Sequence, residues 1–187
     1  MTLIMNCDIK TILFDENQIR ARIAQLGAEI TREYGGHDLV LMAMLKGGVV
    51  FISDLMRQIP IPLDIEFIHA SSYGQATVSS GTVDVKVFPQ MDFTKKRLLV
   101  LDGILDTGRT LRRIVDALKQ RGAEDVRTCV LLNKNARRAV PIEADYVGFE
   151  VDDVFVVGYG LDFADKYRNL PYIGVLKEAC YKSGAAG

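Results

Sequence analysis

The sequence lacks any excess of basic charge. Its 23 Lys plus Arg stand against 24 Asp plus Glu, so with both histidines neutral the 187 residues carry a formal net charge of -1. Binding to nucleic acid by counterion release draws on a basic excess or a basic stripe, and no long run of Lys and Arg is present. Bulk charge therefore argues against nucleic acid as a partner, and any bound anion has to be held by a local device. Long apolar runs are missing too: none reaches the ~18 residues that a membrane span needs. The start MTLIMNCDIK has no basic region followed by a long apolar one, so no membrane partner is expected and a cytoplasmic location is the default. Cysteine is scarce. Cys7, Cys129 and Cys180 are an odd number without CxxC spacing, which argues against a disulfide or a zinc site, and Cys129 lies in an apolar run as buried filler. His37 and His69 show no ligand spacing and read as surface or strand-end residues. Proline is limited to 5 residues and no low-complexity tract occurs.

What is present is the composition of one compact domain spanning 1–187, with 49% apolar and 25% charged residues. A chain of this size can bury roughly 70% of its unfolded surface. Residues 15–34 open with Asp15 three before Gln18, a capping pair, and set Ile19, Ile23, Leu26 and Ile30 on one helical face before Gly35 and Gly36. Leu39 to Leu45 is apolar throughout, as a strand covered on both faces would be, and leads through Lys46, Gly47 and Gly48 into a helix carrying Val50, Leu55 and Ile59. Leu63 to His69 reads as a strand and 70–81 as a long mobile loop. Val83, Val85 and Val87 alternate with polar residues, making a hairpin with that loop at its tip. Arg97 to Asp102 is a buried strand ending in an acid. A helix follows with Leu111, Ile114, Val115 and Leu118 on one face, and further strands fall at 126–132, 146–149 and 154–157. Alternating strands and helices imply an α/β domain with a mostly parallel, twisted sheet flanked by helices. Ligands of such sheets lie beyond the carboxyl ends of the strands, so the strand ends at Lys46, Asp102 and Gly158 should build one site.

Asp106-Thr107-Gly108-Arg109-Thr110 carries most of the chemistry. A Thr-Gly-x-Thr turn opening a helix leaves backbone amides free, adds two hydroxyl donors and sets them at the positive end of a helix dipole worth about half a charge. It is a phosphate cradle; its plain alternative is an N-cap with Thr110 satisfying its own helix. The glycines fit neither GxxxxGK[ST] nor GxGxxG, so neither a triphosphatase loop nor a dinucleotide fingerprint accounts for them.

LLVLDGILDTGRTL resembles the phosphoribosyl pyrophosphate signature of the type I phosphoribosyltransferases. Residues 147–176, VGFEVDDVFVVGYGLDFADKYRNLPYIGVL, resemble the C-terminal region of the hypoxanthine-guanine phosphoribosyltransferases. Leu45-Lys46-Gly47-Gly48 and Ser71-Ser72-Tyr73 stand where that family has its pyrophosphate loop and its mobile lid, so the likeness spans roughly 38–176. The resemblance implies the type I fold, with a core over about 36–160, a small hood from about 1–14 and 155–187, and a hairpin lid. It implies transfer of the phosphoribosyl group from phosphoribosyl pyrophosphate to a 6-oxopurine with Mg2+, in a homodimer or homotetramer.

Roles carry over by position. Asp106 matches the general base near purine N7, and Thr107, Gly108, Arg109 and Thr110 match the 5′-phosphate site. Lys134 matches the donor to purine O6, Phe155 the stacking aromatic and Val156 the residue whose backbone reads the base edge. Lys46, Gly47, Gly48 and Arg168 match the pyrophosphate site, in which the Leu-Lys peptide can be cis. Asp162, on the purine and pyrophosphate side, and Asp102 match carboxylates that place Mg2+, and Ser72 with Tyr73 matches the lid dipeptide. Without the family, Asp106 would read as a helix cap, Lys134 as a solvated strand-end lysine and Phe155 as core. The chain departs from the pattern at Asp102-Gly103, where the family usually has Glu-Asp, so a weaker grip on the ribose and a raised KM for the sugar donor are expected. Two readings compete: an RNA-binding pyrimidine-operon regulator, whose helix GRTLRRIVDALKQRGA resembles, and an enzyme for another base such as xanthine, adenine or orotate.

Overall fold

The structure, a computed structural model, describes residues 7–71, 84–88, 92–94 and 96–182. In chain order its elements are β1 (Ile9–Phe14), α1 (Glu16–Tyr34), β2 (Leu39–Leu45), α2 (Val49–Leu55), β3 (Leu63–Ser71), β4 (Asp84–Phe88), β5 (Arg97–Leu105), α3 (Arg109–Gln120), β6 (Asp125–Asn133), β7 (Tyr146–Glu150), β8 (Val156–Val157), β9 (Ile173–Leu176) and α4 (Glu178–Lys182). Six strands pair in the order β4-β3-β2-β5-β6-β7. The five strands β3, β2, β5, β6 and β7 are parallel, and only β4 runs antiparallel, against β3 at one edge.

The apolar run of β2 explains why it lies near the middle of the sheet. Leu39, Leu41 and Ala43 join the core formed with α1 and α2, whereas Val40, Met42 and Met44 join the core formed with α3. A strand buried on both faces has no polar positions to alternate with. Asp15 caps α1 as its spacing requires: its carboxylate accepts from Gln18 N, and the Gln18 side chain accepts from Asp15 N. Ile19, Ile23, Leu26 and Ile30 of α1 are buried against the sheet, each contributing about 1.5–3 kcal/mol of transfer free energy. In α3 the buried positions are Leu111, Ile114 and Leu118, and Val115 is only partly covered.

Some element ends differ from expectation. The α2 helix stops at Leu55 and tightens into a 3-10 turn, Met56–Gln58, because Ile59 precedes Pro60 and is held extended at φ -112, ψ 91. β5 does not end at Asp102 but runs to Leu105, pairing Ile104 with Leu132 and Leu105 with Asn133. β8 is shorter than 154–157, since Val154 N turns back to Asp152 O at 2.8 Å.

A second, antiparallel sheet of three strands, β1-β9-β8, joins residues from both ends of the described chain. Neither β1 nor β9 stands out in the sequence, because each is short and neither alternates cleanly. The fully buried Cys129 fills the core as its apolar run suggested, and all three cysteines are free thiols. Among the described residues no helix is long and apolar enough to cross a membrane.

Candidate functional site

The carboxyl ends of β2 and β5 and the loop after β8 meet at one point, the carbonyl of Gly47. That carbonyl follows the Leu45-Lys46 peptide, which is cis. A Cβ built on Gly160 would stand 2.4 Å from Gly47 O, and one on Gly103 would stand 3.3 Å from it. The Gly103 Cβ would also lie 3.0 Å from Leu161 Cδ2, so any side chain at 103 would need Leu161 or the Gly47 backbone to give by a few tenths of an ångström.

Beyond β5, Gly108 turns the chain into α3 with φ 78, a left-handed conformation open to glycine. The first helical hydrogen bond runs from Arg112 N to Gly108 O at 2.9 Å, which leaves the preceding amides free of intrahelical partners. A cavity of about 160 Å3 opens here, lined by Asp102, Asp106, Thr107, Gly108 and Thr110 among others. Arg109, in the same motif, is exposed.

Asp106 is not a helix cap: Gly108 takes that position, with no side-chain cap bond. Its Oδ1 is buried and among the described residues accepts no hydrogen bond, and its Oδ2 lies 3.6 Å from Arg137 Nη1. An unpartnered buried carboxylate oxygen is costly and waits for a donor. Asp102 is partly buried, and desolvation pushes its carboxyl up to about 6 against the pull of the Gly103 and Ile104 amides. No salt bridge reaches it among the described residues.

The segment after β6 is stitched to this turn. Lys134 N donates to Leu105 O at 2.9 Å, Ala139 N to Thr107 O at 2.9 Å, and Arg138 Nη1 to Asp106 O at 2.8 Å. Arg138 also donates to Asn133 Oδ1 at 2.6 Å, and Asn133 Nδ2 donates to Glu150 at 2.9 Å. Lys134 is 5% exposed, contrary to the solvated reading that its sequence context suggested. Its Nζ donates to Val154 O at 3.1 Å and pairs with Asp153 Oδ1 at 2.8 Å. Phe155 is 36% exposed, so it is no ordinary core residue. Its ring stacks on Tyr181 with centroids 4.8 Å apart and meets Phe163 edge-on at 5.6 Å. Val156 is buried in β8, paired with Val175.

The expected pyrophosphate residues form a second cluster. Lys46 Nζ pairs with Asp165 at 2.9 Å, and Arg168 Nη2 pairs with Asp162 at 2.7 Å and Asp165 at 3.2 Å. Both cations hold the Asp165 carboxyl below the usual carboxylate range, Lys46 most strongly. Asp162 therefore sits with Arg168 rather than in the cavity of Asp102 and Asp106. Ser72 and Tyr73 lie outside the described residues. A further cavity, about 450 Å3, opens between α1, α2 and residues 168–171, and of the expected site residues among those described Arg168 lines it.

Among the described residues no group of three or more His, Cys, Asp or Glu could hold a metal. The donor set does suit a hard cation that needs few protein ligands and shares substrate oxygens. Asp102 offers a partly buried carboxylate without a cationic partner, and Asp162 has one of its oxygens engaged by Arg168. Residues that sequence reading missed are Asp153, Asp165, Asn133, Arg138, Glu150 and Tyr181. Their one visible signal was polar or aromatic character close to a motif.

The family model described as phosphoribosyl transferase domain matches residues 11–164. The hypoxanthine-guanine phosphoribosyltransferase of Bacillus subtilis is 44% identical over 181 residues, covering 96% of this chain and 99% of the relative. The chain belongs to the hypoxanthine-guanine phosphoribosyltransferase family. A crystal structure of the hypoxanthine phosphoribosyltransferase of Staphylococcus aureus superposes with a TM-score of 0.91 at 41% identity, covering 97% of this chain and 98% of that one. The bifunctional TilS/HprT protein of Listeria monocytogenes is 45% identical over 177 residues, but the chain spans only 27% of that protein's length. For a hypoxanthine-guanine phosphoribosyltransferase family member, the matched span takes in Lys46, the 102–110 turn, Lys134, Phe155 and Asp162 and stops short of Arg168.

Proposed function

We propose that the protein is a purine-salvage enzyme, a pentosyltransferase that moves the 5-phosphoribosyl group from phosphoribosyl pyrophosphate to N9 of hypoxanthine or guanine, giving IMP or GMP and pyrophosphate. The observation that carries this reading is the buried, unpartnered Oδ1 of Asp106 beside the Thr107–Thr110 turn. A carboxylate lining the same cavity as that turn suits a reaction in which a phosphorylated sugar meets a base that must lose a proton.

In the reaction the C1′–oxygen bond to pyrophosphate breaks and its electron pair leaves with pyrophosphate, while purine N9 forms the new bond to C1′. Asp106 accepts the proton that the purine sheds at N7. Such general base catalysis typically contributes about 100-fold to 10,000-fold. Amides and hydroxyls of Thr107, Gly108, Arg109 and Thr110 hold the 5′-phosphate at the α3 N-terminus. Lys134 donates to purine O6, Phe155 stacks on the ring, and the Val156 backbone reads the base edge. Lys46, Gly47, Gly48 and Arg168 receive pyrophosphate, for which Lys46 and Arg168 must loosen from Asp165. Asp102 and Asp162 are the carboxylates that would hold Mg2+, which supplies charge neutralisation to the departing pyrophosphate when bound. Ser72 and Tyr73, outside the described residues, are assigned to the lid role, which is to exclude water from a cationic sugar. Gly103 leaves the ribose hydroxyls one carboxylate short, which raises KM for the sugar donor. The three-stranded sheet is the hood over this core, and the working form is a cytoplasmic homodimer or homotetramer.

Mixing the protein with phosphoribosyl pyrophosphate and Mg2+, and following nucleotide formation by absorbance for each base in turn, tests the reading. Hypoxanthine or guanine should be consumed. No turnover of any 6-oxopurine would overturn it.

A further inference from the structure

Asp153 has no part in the function set out above, yet it touches the residue assigned to the base edge. The Lys134 side chain is 7% exposed and the Asp153 side chain 54%, so the pair joins a buried ammonium to a carboxylate at the rim. Lys134 is fixed from several directions. Its main-chain N–H donates to Leu105 O, one residue before Asp106, so the lysine and the proton acceptor share one rigid frame. An ammonium carries three N–H donors and no acceptor. One donor goes to Asp153 Oδ1 at 2.8 Å and a second to Val154 O at 3.1 Å. One remains.

We propose that Asp153 is a positioning residue that sets base specificity: together with the Val154 carbonyl it takes up two Lys134 donors, so that a single aimed N–H is left for the purine 6-position. Such a group rewards an oxygen there and rejects an amino group, which would bring a donor against a donor. A lysine without Asp153 would keep its charge but swing on its four-carbon stem, with three rotatable donors and no preferred direction. The hydrogen bond from Lys134 keeps the Asp153 carboxyl below the usual carboxylate range, so the partner stays ionised at neutral pH. The inference rests on the reading of Lys134 as the base-edge donor, and the test separates the two.

Calorimetric titration of the full-length protein with IMP, AMP and ribose 5-phosphate probes the oxo base, the amino base and the sugar phosphate alone. Wild type should bind IMP more tightly than AMP. Asp153→Ala should weaken IMP about 10-fold, the scale of one charge-assisted hydrogen bond, and leave ribose 5-phosphate within about 2-fold. Asp153→Asn, which keeps an acceptor oxygen but no charge, should fall between. Asp153→Ala leaves the buried Lys134 ammonium one partner short, so the unfolding midpoint should fall, but a merely structural pair would still leave the IMP to AMP ratio as it was. Wild-type affinities and ratio in Asp153→Ala would overturn the inference alone, as would an equal loss for all three ligands. A wild type that does not distinguish IMP from AMP would overturn the reading of Lys134, and this inference with it.

Discussion

Asp102 and Asp106 face the same cavity, and their surroundings ask different things of each carboxylate. Asp106 keeps one oxygen buried without a partner, while Arg138 and Leu105 fix its backbone through the Lys134 segment. If that oxygen accepts the purine proton, Asp106→Asn should lower turnover at least ~100-fold with an unchanged unfolding midpoint. A wild-type rate would reduce Asp106 to a structural acid. Asp102 meets desolvation instead, which raises its carboxyl from 3.8 to about 6. An acid whose folded pKa lies above its unfolded value binds its proton more tightly in the native state, so native stability falls as pH rises from about 4 to about 6 and stays lower above that. Asp102→Asn removes the penalty. In the metal-free, ligand-free protein it should raise stability at pH 7.5 by about 1–3 kcal/mol and give no gain near pH 4, as read by urea unfolding at both values. Equal gains at the two pH values would mean that ionisation of Asp102 is not the cause.

At the scale of elements, the segment from Gly158 to Arg168 decides how Arg168, assigned above to pyrophosphate, is held against the Lys46 loop. It carries Tyr159, Ala164, Asp165 and Tyr167 at positive φ, and it is held by Tyr159 OH donating to Asp54 of α2 and by Arg168 donating to Gly160 O. Gly160 has φ 95 and leaves no room for a Cβ beside Gly47 O. Gly160→Ala therefore combines left-handed strain with a backbone clash and should cost about 2–4 kcal/mol. The cis loop at Lys46 would be displaced with it, so pyrophosphate affinity should fall as well as the urea midpoint. A variant with native stability and native pyrophosphate binding would show that the two segments are not mutually dependent. This contact was not legible in the sequence, because Gly47 and Gly160 lie in separate motifs that only the fold brings together. The Thr107–Thr110 turn was legible for the opposite reason: its donors, its glycine and the helix behind it are contiguous. Lys46 and Asp165, paired across 119 positions, carry no local signal of their partnership.

For the whole molecule, the central sheet could be read because β2, β5 and β6 bury both faces and so appear as apolar runs. The three-stranded sheet could not, since β8 has two residues and β1 leaves Ile12 half exposed. The residues assigned to the base come from both sheets' surroundings: Lys134 follows β6, whereas Phe155 precedes β8 and leans on Tyr181 of α4. A nucleotide gripped at both places should tie the sheets together. A ligand that binds only the native state, at 100 times its Kd, contributes about 2.7 kcal/mol, which for a chain of this size is roughly 5–10 °C in Tm. IMP at such a level should therefore raise Tm by that amount. Ribose 5-phosphate at the same concentration should raise it less, since under the proposed assignment it meets the Thr107–Thr110 turn but neither Lys134 nor Phe155. The difference should shrink in Phe155→Ala, which removes the contact on the side of the small sheet and leaves the Thr107–Thr110 turn unchanged. Equal shifts for the two ligands in wild type would mean that the base bridges nothing, and the two sheets would then have to be joined by their own packing alone.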